Sequence, residues 1–431
     1  MAGVADRVEK KLRANRELGG ITLPEDTVLP SYDGYGLANV SPTVLKHFGG
    51  KIDTPGLADE VVGNKLDGVK KVVVVLLDAC GYLLLKQVLE KVPDHPFRSL
   101  LGNGRLTPLT SVFPSTTSVA LSTLHTGLPP RRHGISGYRM YLPEKGVFAN
   151  MIRLSSEADE RPRRLIRGYD GAAKLIGVPT IHQRLADARI HSTCMLRRDI
   201  AGSGLSEMHC AGADLVPFVS APDMFVTIRK LLCVKRPARR AIWAYWDALD
   251  TIQHSYGVWQ DEGDAELRAF AAAMKTELID PIRKSGEDVA ILFTSDHGQV
   301  QVNRSDVFPI LSVKGAEETL FVPPAGTSRG AYLYTNDAAW ITKLERRLRG
   351  RGLVIPAKKA VAEGLWGPGP SKREFAGRIG DHLILMSGKG VLFYPYWEGA
   401  RPEALLGGRH GGLHEEEILT PIVVWRSRRT S

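Results

Sequence analysis

The sequence predicts an α/β protein with a mostly parallel central sheet flanked by helices and a smaller inserted subdomain. Three observations predict it. Apolar runs at 72–77, 190–195, 241–246, 289–293 and 422–425 alternate with helical stretches, the texture of βαβ units. Some of these runs end abruptly in carboxylates or imidazoles, as strands do where an open sheet presents its carboxyl edge to a ligand. Between 301 and 400 the texture changes, with Pro323-Pro324, a turn-rich stretch at 364–370 and a hairpin-like segment at 383–394 turning at Ser387-Gly388-Lys389-Gly390.

In chain order, residues 1–65 open with a charged amphipathic stretch and become loop-rich, the mark of an arm packed on the core. Residues 66–300 and 401–431 read as the α/β core, and 301–400 as the inserted accessory subdomain. The first 16 residues are charged and lack the apolar segment of a secretory signal. The most apolar stretch, 69–85, is interrupted by Asp78 and Gly81 and is too short to span a bilayer. A cytoplasmic protein with no membrane anchor is expected.

At 431 residues, with 43% apolar and 24% charged content, the chain has the composition of a soluble globular protein. Its net charge of +10 is spread over arginine-rich pieces at 161–164, 236–240 and 346–351. They lie far apart and have no interleaved aromatics, so they read as solvated faces rather than a nucleic-acid surface. Cys80, Cys194, Cys210 and Cys233 are dispersed without CxxC spacing, which suggests reduced, buried thiols rather than a disulfide framework or a zinc ribbon.

Five segments carry chemistry. Asp78 follows six apolar residues, where an unpaired carboxylate is costly and calls for a cation, hydrogen-bond donors or a helix to cap. Phe113-Pro-Ser-Thr-Thr117 is a hydroxyl-rich turn running into a helix, so Ser115, Thr116 and Thr117 could cap it or serve a phosphate and an activated alkoxide. Asp250 and His254 stand four apart on one helical face, with Asp247 as a competing carboxylate. Asp296-His297-Gly298 closes the apolar run 289–293, and Gly-Arg-His410-Gly places a glycine-framed imidazole before the last strand, with His414 its competitor. Together they supply ligands for two N/O-bound ions, whose pairing about 3.5–4 Å apart suits in-line phosphoryl displacement.

The order of these segments resembles the alkaline phosphatase superfamily, and within it the type I phosphodiesterase/nucleotide pyrophosphatase family. Leu77-Asp78, Phe-Pro-Ser-Thr-Thr117 with its Thr126-Gly-Leu128 and Arg132-His133-Gly134-Ile135 continuation, Asp250-x-x-x-His254-x-x-Gly257, Thr294-Ser-Asp-His-Gly298 and His410-Gly411 carry the resemblance. It implies one ion on Asp78, Asp296, His297 and the Thr117 hydroxyl, and another on Asp250, His254 and His410. It also implies a phosphothreonine intermediate on Thr117, which stands nine residues before Thr126. Thr116 and Tyr138 are expected to meet substrate, a small phosphoester, with a nucleotide as one candidate. Tyr138 departs from the family's asparagine. Zinc is the expected metal, with manganese or iron as other fits for mixed His and carboxylate ligands. Phosphomonoester or phosphonate hydrolysis on the same site is the alternative, and non-catalytic nucleic-acid binding a further one. The sulfatase Cys-x-Pro-x-Arg pattern is absent, and no serine replaces Thr117 as in cofactor-independent mutases.

Overall fold

Seven strands form the central sheet of the computed structural model, which describes residues 3–102, 104–157, 172–234, 239–320 and 322–427. They are β1 (Lys71–Leu77), β2 (Thr107–Thr110), β3 (His191–Arg197), β4 (Asp214–Phe218), β5 (Arg240–Trp246), β6 (Val289–Thr294) and β7 (Leu419–Arg426), in the spatial order β2-β7-β6-β1-β5-β3-β4. The β6-β1-β5-β3-β4 ladders are parallel, and β7 runs antiparallel to both β6 and β2. The sheet is therefore mixed. A parallel β7 would need a crossover to the opposite end of the sheet. Instead the chain enters β7 directly from residues 407–418, which lie at the end where β6 finishes, so it runs back alongside β6.

β1 is buried along its whole length because both faces of the sheet are covered. Side-chain alternation then divides it: Val72, Val74 and Leu76 join one core with Leu109, Val119 and Leu124, while Val73, Val75 and Leu77 join another with Leu85, Phe225 and Phe270. The two strands without a clear signature in the sequence, β2 and β4, are the sheet's edges. Each contains a proline, Pro108 and Pro217, which an edge tolerates because a ladder hydrogen bond can be missing there.

A second seven-stranded sheet joins Ala325–Gly326, Gly330–Leu333, Gly352–Pro356 and His382–Met386 to Arg139–Leu142, Val147–Asn150 and Ser155–Ser156 through antiparallel ladders. The hairpin expected at 383–394 does not form. His382–Met386 pairs with Gly330–Leu333 and Gly352–Pro356, while Val391–Phe393 pairs in parallel with Val307–Pro309. The turn at 387–390 forms, but its flanking strands find partners elsewhere, and the Arg329 guanidinium ties it by donating to the Gly388 and Gly390 carbonyls at 2.6 Å.

The N-terminal helix Val4–Ala14 buries Val8 and Leu12, and its Glu9 accepts from Tyr82 Oη and Lys86 Nζ at 3.1 Å. Cys80, Cys194 and Cys210 are buried free thiols, as expected, whereas Cys233 is exposed. Arg346, Arg347, Arg349 and Arg351 are exposed; residues 161–164 and 236–238 of the other basic pieces lie outside the described residues. No helix among the described residues is long and apolar enough to cross a membrane.

Candidate active site

The site gathers at the carboxyl ends of β1, β5 and β6. Asp78 leaves β1 with its backbone N–H bonded to the Trp246 carbonyl at 2.9 Å, and Ala79 takes φ 58°, a left-handed conformation that a non-glycine residue holds only under constraint. Ala79 N donates to Asp296 Oδ1 at 3.3 Å, tying the β1 and β6 turns together. Gly298 has no room for a side chain: a Cβ there would stand 2.1 Å from the Glu416 carbonyl oxygen. That close approach accounts for glycine after Asp296-His297.

Asp78, Asp296 and His297 bring ligand atoms within 4.8 Å of one another, all buried. His297 Nε2 lies 3.6 Å from Asp78 Oδ1 and 3.3 Å from Asp296 Oδ2. Those two carboxylate oxygens are buried without a hydrogen-bond partner. Burial first, then repulsion from Asp296 and Asp250, pushes the Asp78 carboxyl well above the usual carboxylate range. Such oxygens fit a cation, which reverses that penalty.

Asp250, His254 and His410 form the second set, again within 4.8 Å of one another. The helix Ala248–Tyr256 places His254 Nε2 3.4 Å from Asp250 Oδ2, and His410 Nε2 lies 3.8 Å from Asp250 Oδ1. Rings of His297 and His410 stack at 3.7 Å between centroids and 13° between planes, so the two sets adjoin. Burial keeps the imidazoles of His254 and His410 below the usual histidine range, hence neutral with a lone pair available.

All three imidazoles are oriented in the same way. His297 Nδ1 meets the Gly298 carbonyl at 3.1 Å, His254 Nδ1 the Gly408 carbonyl at 2.7 Å and His410 Nδ1 the Ser115 carbonyl at 2.9 Å. A carbonyl accepts only, so Nδ1 of His297 and of His410 carries the proton and Nε2 presents its lone pair to the carboxylates, whereas His254 Nδ1 also meets the donor Arg409 Nη1 at 2.8 Å. Metal-ligating histidines show this arrangement.

The helix Thr117–Thr126 begins at the junction of the two sets. Thr117 Oγ1 lies 3.2 Å from His297 Nε2. Ser115, Thr116 and Ser118 are buried while Thr117 is half-buried, which makes it the hydroxyl of the turn that faces the open side. Thr116 is the residue before the helix, with its carbonyl taking the Val119 and Ala120 N–H groups at 3.0 and 2.9 Å. Ser118 Oγ donates to the Gly137 carbonyl at 2.9 Å, which brings the Tyr138 segment against the helix start. The Tyr138 hydroxyl accepts from Asn150 Nδ2 at 3.0 Å.

The competing residues separate cleanly. Asp247 lies 3.2 Å from Arg197 Nη1, and His414 Nε2 lies 3.4 Å from Asp26 Oδ2, so neither joins a set. Three contributors had no sequence signal of their own. Tyr245, on β5, donates its hydroxyl to Asp78 Oδ2 in a short hydrogen bond, Gln299 Nε2 donates to Asp250 Oδ1 at 2.5 Å, and Arg409 Nη1 donates to the Gly408 carbonyl that also holds His254. Tyr245 was the findable one, a polar-tipped aromatic at the end of an apolar strand next to the Asp250 motif.

Two adjoining His/carboxylate sets, each able to hold a metal ion, thus lie at the strand ends of an α/β sheet beside a helix-start hydroxyl. The sequence matches the family model "Type I phosphodiesterase / nucleotide pyrophosphatase" over residues 72–412, and the chain belongs to that family of phosphoric ester hydrolases. Among solved structures it is similar to murine ectonucleotide pyrophosphatase / phosphodiesterase 5, with 18% identity, 82% of this chain and 88% of that chain covered, and a TM-score of 0.63. Phosphonoacetate hydrolase from Sinorhizobium meliloti 1021, in complex with phosphonoacetate, is similar at 21% identity, with coverage of 82% and 89% and a TM-score of 0.56. No curated protein matches the sequence.

Proposed function

We propose that this chain is a two-metal phosphodiesterase of the nucleotide pyrophosphatase type, acting through a phosphothreonine on Thr117. The observation that carries the reading is the position of Thr117 Oγ1, half-open at a helix start and 3.2 Å from His297 Nε2 where the two ligand sets adjoin. Asp78, Asp296 and His297, with Thr117, would hold one divalent ion, and Asp250, His254 and His410 the other; zinc suits this donor set, with manganese or iron as other occupants. Such ions make hydroxyl nucleophiles usable near neutral pH and offset charge on the attacking and leaving oxygens.

The chain's own residues do the rest. Thr117 gives up its hydroxyl proton to solvent and Oγ attacks phosphorus in line, forming an Oγ–P bond as the ester P–O bond breaks and the alcohol leaves. Water then attacks phosphorus from the vacated side, the Oγ–P bond breaks and Thr117 regains its proton. Unpaired N–H groups of the helix's first turn, together with the Tyr138 hydroxyl, would receive the non-bridging oxygens. Support comes from an inactive threonine-to-alanine variant of murine ectonucleotide pyrophosphatase / phosphodiesterase 5 solved in complex with AMP. We also infer that residues 301–400 act as an accessory subdomain shaping the pocket, since Thr327 Oγ1 donates to the Gly411 carbonyl at 3.1 Å.

Phosphonate or monoester hydrolysis is the second reading, supported by the likeness to phosphonoacetate hydrolase and by Arg409, a cation beside His254. The test is Thr117→Ala. Turnover of a bis-nitrophenyl phosphate falls by about 10³-fold or more while metal content stays at the parental level. Activity within tenfold of the parent, or loss of metal, overturns the assignment. Relative rates on a nitrophenyl phosphate, the diester and a phosphonate decide between the two readings.

A further inference from the structure

On the far side of the Thr117 helix lies a second histidine cluster that the phosphoryl-transfer site does not use. His125 at the helix's last turn, His182 on the helix Ile181–Asp187 and Cys194 on β3 converge, with one ligand atom of each within 4.8 Å of the others. Their exposures are 5%, 0% and 1%. His125 Nδ1 is 3.0 Å from His182 Nε2, and Cys194 Sγ is 3.1 Å from the same nitrogen. One ring nitrogen thus faces two neighbours, while His182 Nδ1 is buried with no hydrogen-bond partner. The cluster adjoins a small cavity lined by Leu121, His125, Cys194, Trp243 and Tyr245.

We propose that His125, His182 and Cys194 form a buried structural site for a tetrahedral divalent transition ion of the zinc type, with Cys210 as the fourth ligand. Metal–nitrogen bonds of about 2.0–2.1 Å and metal–sulfur bonds of about 2.3 Å give tetrahedral edges of roughly 3.3–3.6 Å, so the His125–His182 and His182–Cys194 edges, at 3.0 and 3.1 Å, need to open by only a few tenths of an ångström, while the third edge lies within 4.8 Å. Burial pushes His125 down to about 4, and His182 well below the usual histidine range, so both rings present lone pairs. Burial first, then the neighbouring Cys210 thiol, pushes the Cys194 thiol well above the usual range, which places Cys210 beside it. Charge selects Cys210 over a water: two neutral imidazoles and two thiolates cancel a divalent ion, whereas one thiolate leaves a net positive charge among Val74, Leu121 and Trp243. Capture of the ion releases both thiol protons to solvent. His209, stacked on His125 at 5.0 Å, is already engaged with Ser122 Oγ at 2.9 Å. The ion would pin the nucleophile helix to β3 and to a neighbouring helix at the end remote from Thr117, independently of what the strand-end sets bind.

Cobalt exchange of the full chain tests this, because a thiolate-to-cobalt charge-transfer band in the near ultraviolet comes only from a sulfur-ligated ion and the strand-end sets contain no sulfur. The wild type and Cys233→Ser, which removes the exposed thiol, show the band; Cys194→Ser abolishes it and lowers zinc content by one ion per chain. No band in cobalt-exchanged wild type overturns the site and leaves a core of hydrogen-bonded neutral imidazoles. A band and zinc content unchanged in Cys194→Ser overturn it equally. Should Cys194→Ser fail to fold by circular dichroism, the wild-type spectrum decides alone.

Discussion

Glu417→Gln should destabilise the protein by about 3–5 kcal/mol, the typical result of leaving a buried charge without its partner. Arg329 and Glu417 are both fully buried, with Arg329 Nε 3.0 and 2.9 Å from the two carboxylate oxygens. The same oxygens accept the Gly412 and His414 N–H groups, each at 2.9 Å. Glutamine keeps one acceptor oxygen and turns its NH₂ toward N–H donors, so the arginine loses its counter-charge and at least one backbone N–H loses its acceptor. Urea unfolding measures the loss, and kcat should fall with it, because the segment from Gly412 to His414 begins two residues after His410. The paired variant Arg329→Met with Glu417→Leu should recover part of the stability; the Gly388 and Gly390 carbonyls lose their donor and the Gly412 and His414 N–H groups their acceptor, so recovery is incomplete. A loss under 1 kcal/mol in Glu417→Gln, or a paired variant less stable than the single one, would refute the reasoning.

Tyr245→Phe removes the hydroxyl that holds Asp78 Oδ2; metal affinity should drop about 10–100-fold in a chelator competition, and unchanged affinity would show that Asp78 needs no such support. Turnover of a phosphorothioate diester chiral at phosphorus should proceed with net retention, since displacement by Thr117 and then by water inverts twice; inversion would exclude the phosphothreonine. Burial, with Lys372 and Arg378 nearby, holds His133 at about 3, and it bonds Thr123 Oγ1 at 3.0 Å. Its folded pKa lies below the unfolded value, so its contribution is fully present above about 6.5 and is lost as pH falls toward 3. Between pH 7 and 5 the wild type should therefore lose about 2 kcal/mol more than His133→Asn in urea melts, and parallel curves would contradict this.

The strands that could be read from the sequence were those buried on both faces, where an unbroken apolar run leaves little else to be. β2 and β4 were not legible because an edge strand needs neither an apolar run nor a complete set of N–H donors, and each contains a proline. The second sheet was illegible for a different reason: Arg139 pairs with Gly326, and no local pattern encodes a partner so distant in sequence. At the site, residue type and spacing brought forward Asp78, Asp250, His254, Asp296 and His297, yet could not choose between Asp250 and Asp247, or between His410 and His414, without the resemblance. In the structure the choice rests on where the rejected pair finds partners, Arg197 for Asp247 and Asp26 for His414. Gln299 was invisible because its residue type does not signal a supporting hydrogen bond, whereas Tyr245, a polar-tipped aromatic at the end of an apolar strand, could have been found.

Each of the three site imidazoles is held at Nδ1 by a backbone carbonyl, and this couples the site to the second sheet. Two of the three carbonyls that hold Nδ1, those of Gly408 and Ser115, lie on segments fixed from outside the central sheet. Gly407–Arg409 pairs with Val300–Val302, and Ser115 Oγ donates to the Gly412 carbonyl at 2.9 Å while accepting from Gly411 N at 3.2 Å. Gly411 and Gly412 are in turn held by Thr327 and by Glu417, which is bound to Arg329. Thr327 and Arg329 immediately precede the strand Gly330–Leu333 of the second sheet. A substitution that loosens that sheet should therefore change the aim of His410, and with it activity, before it disturbs β1 or β6, whose ladders stand within the doubly covered core.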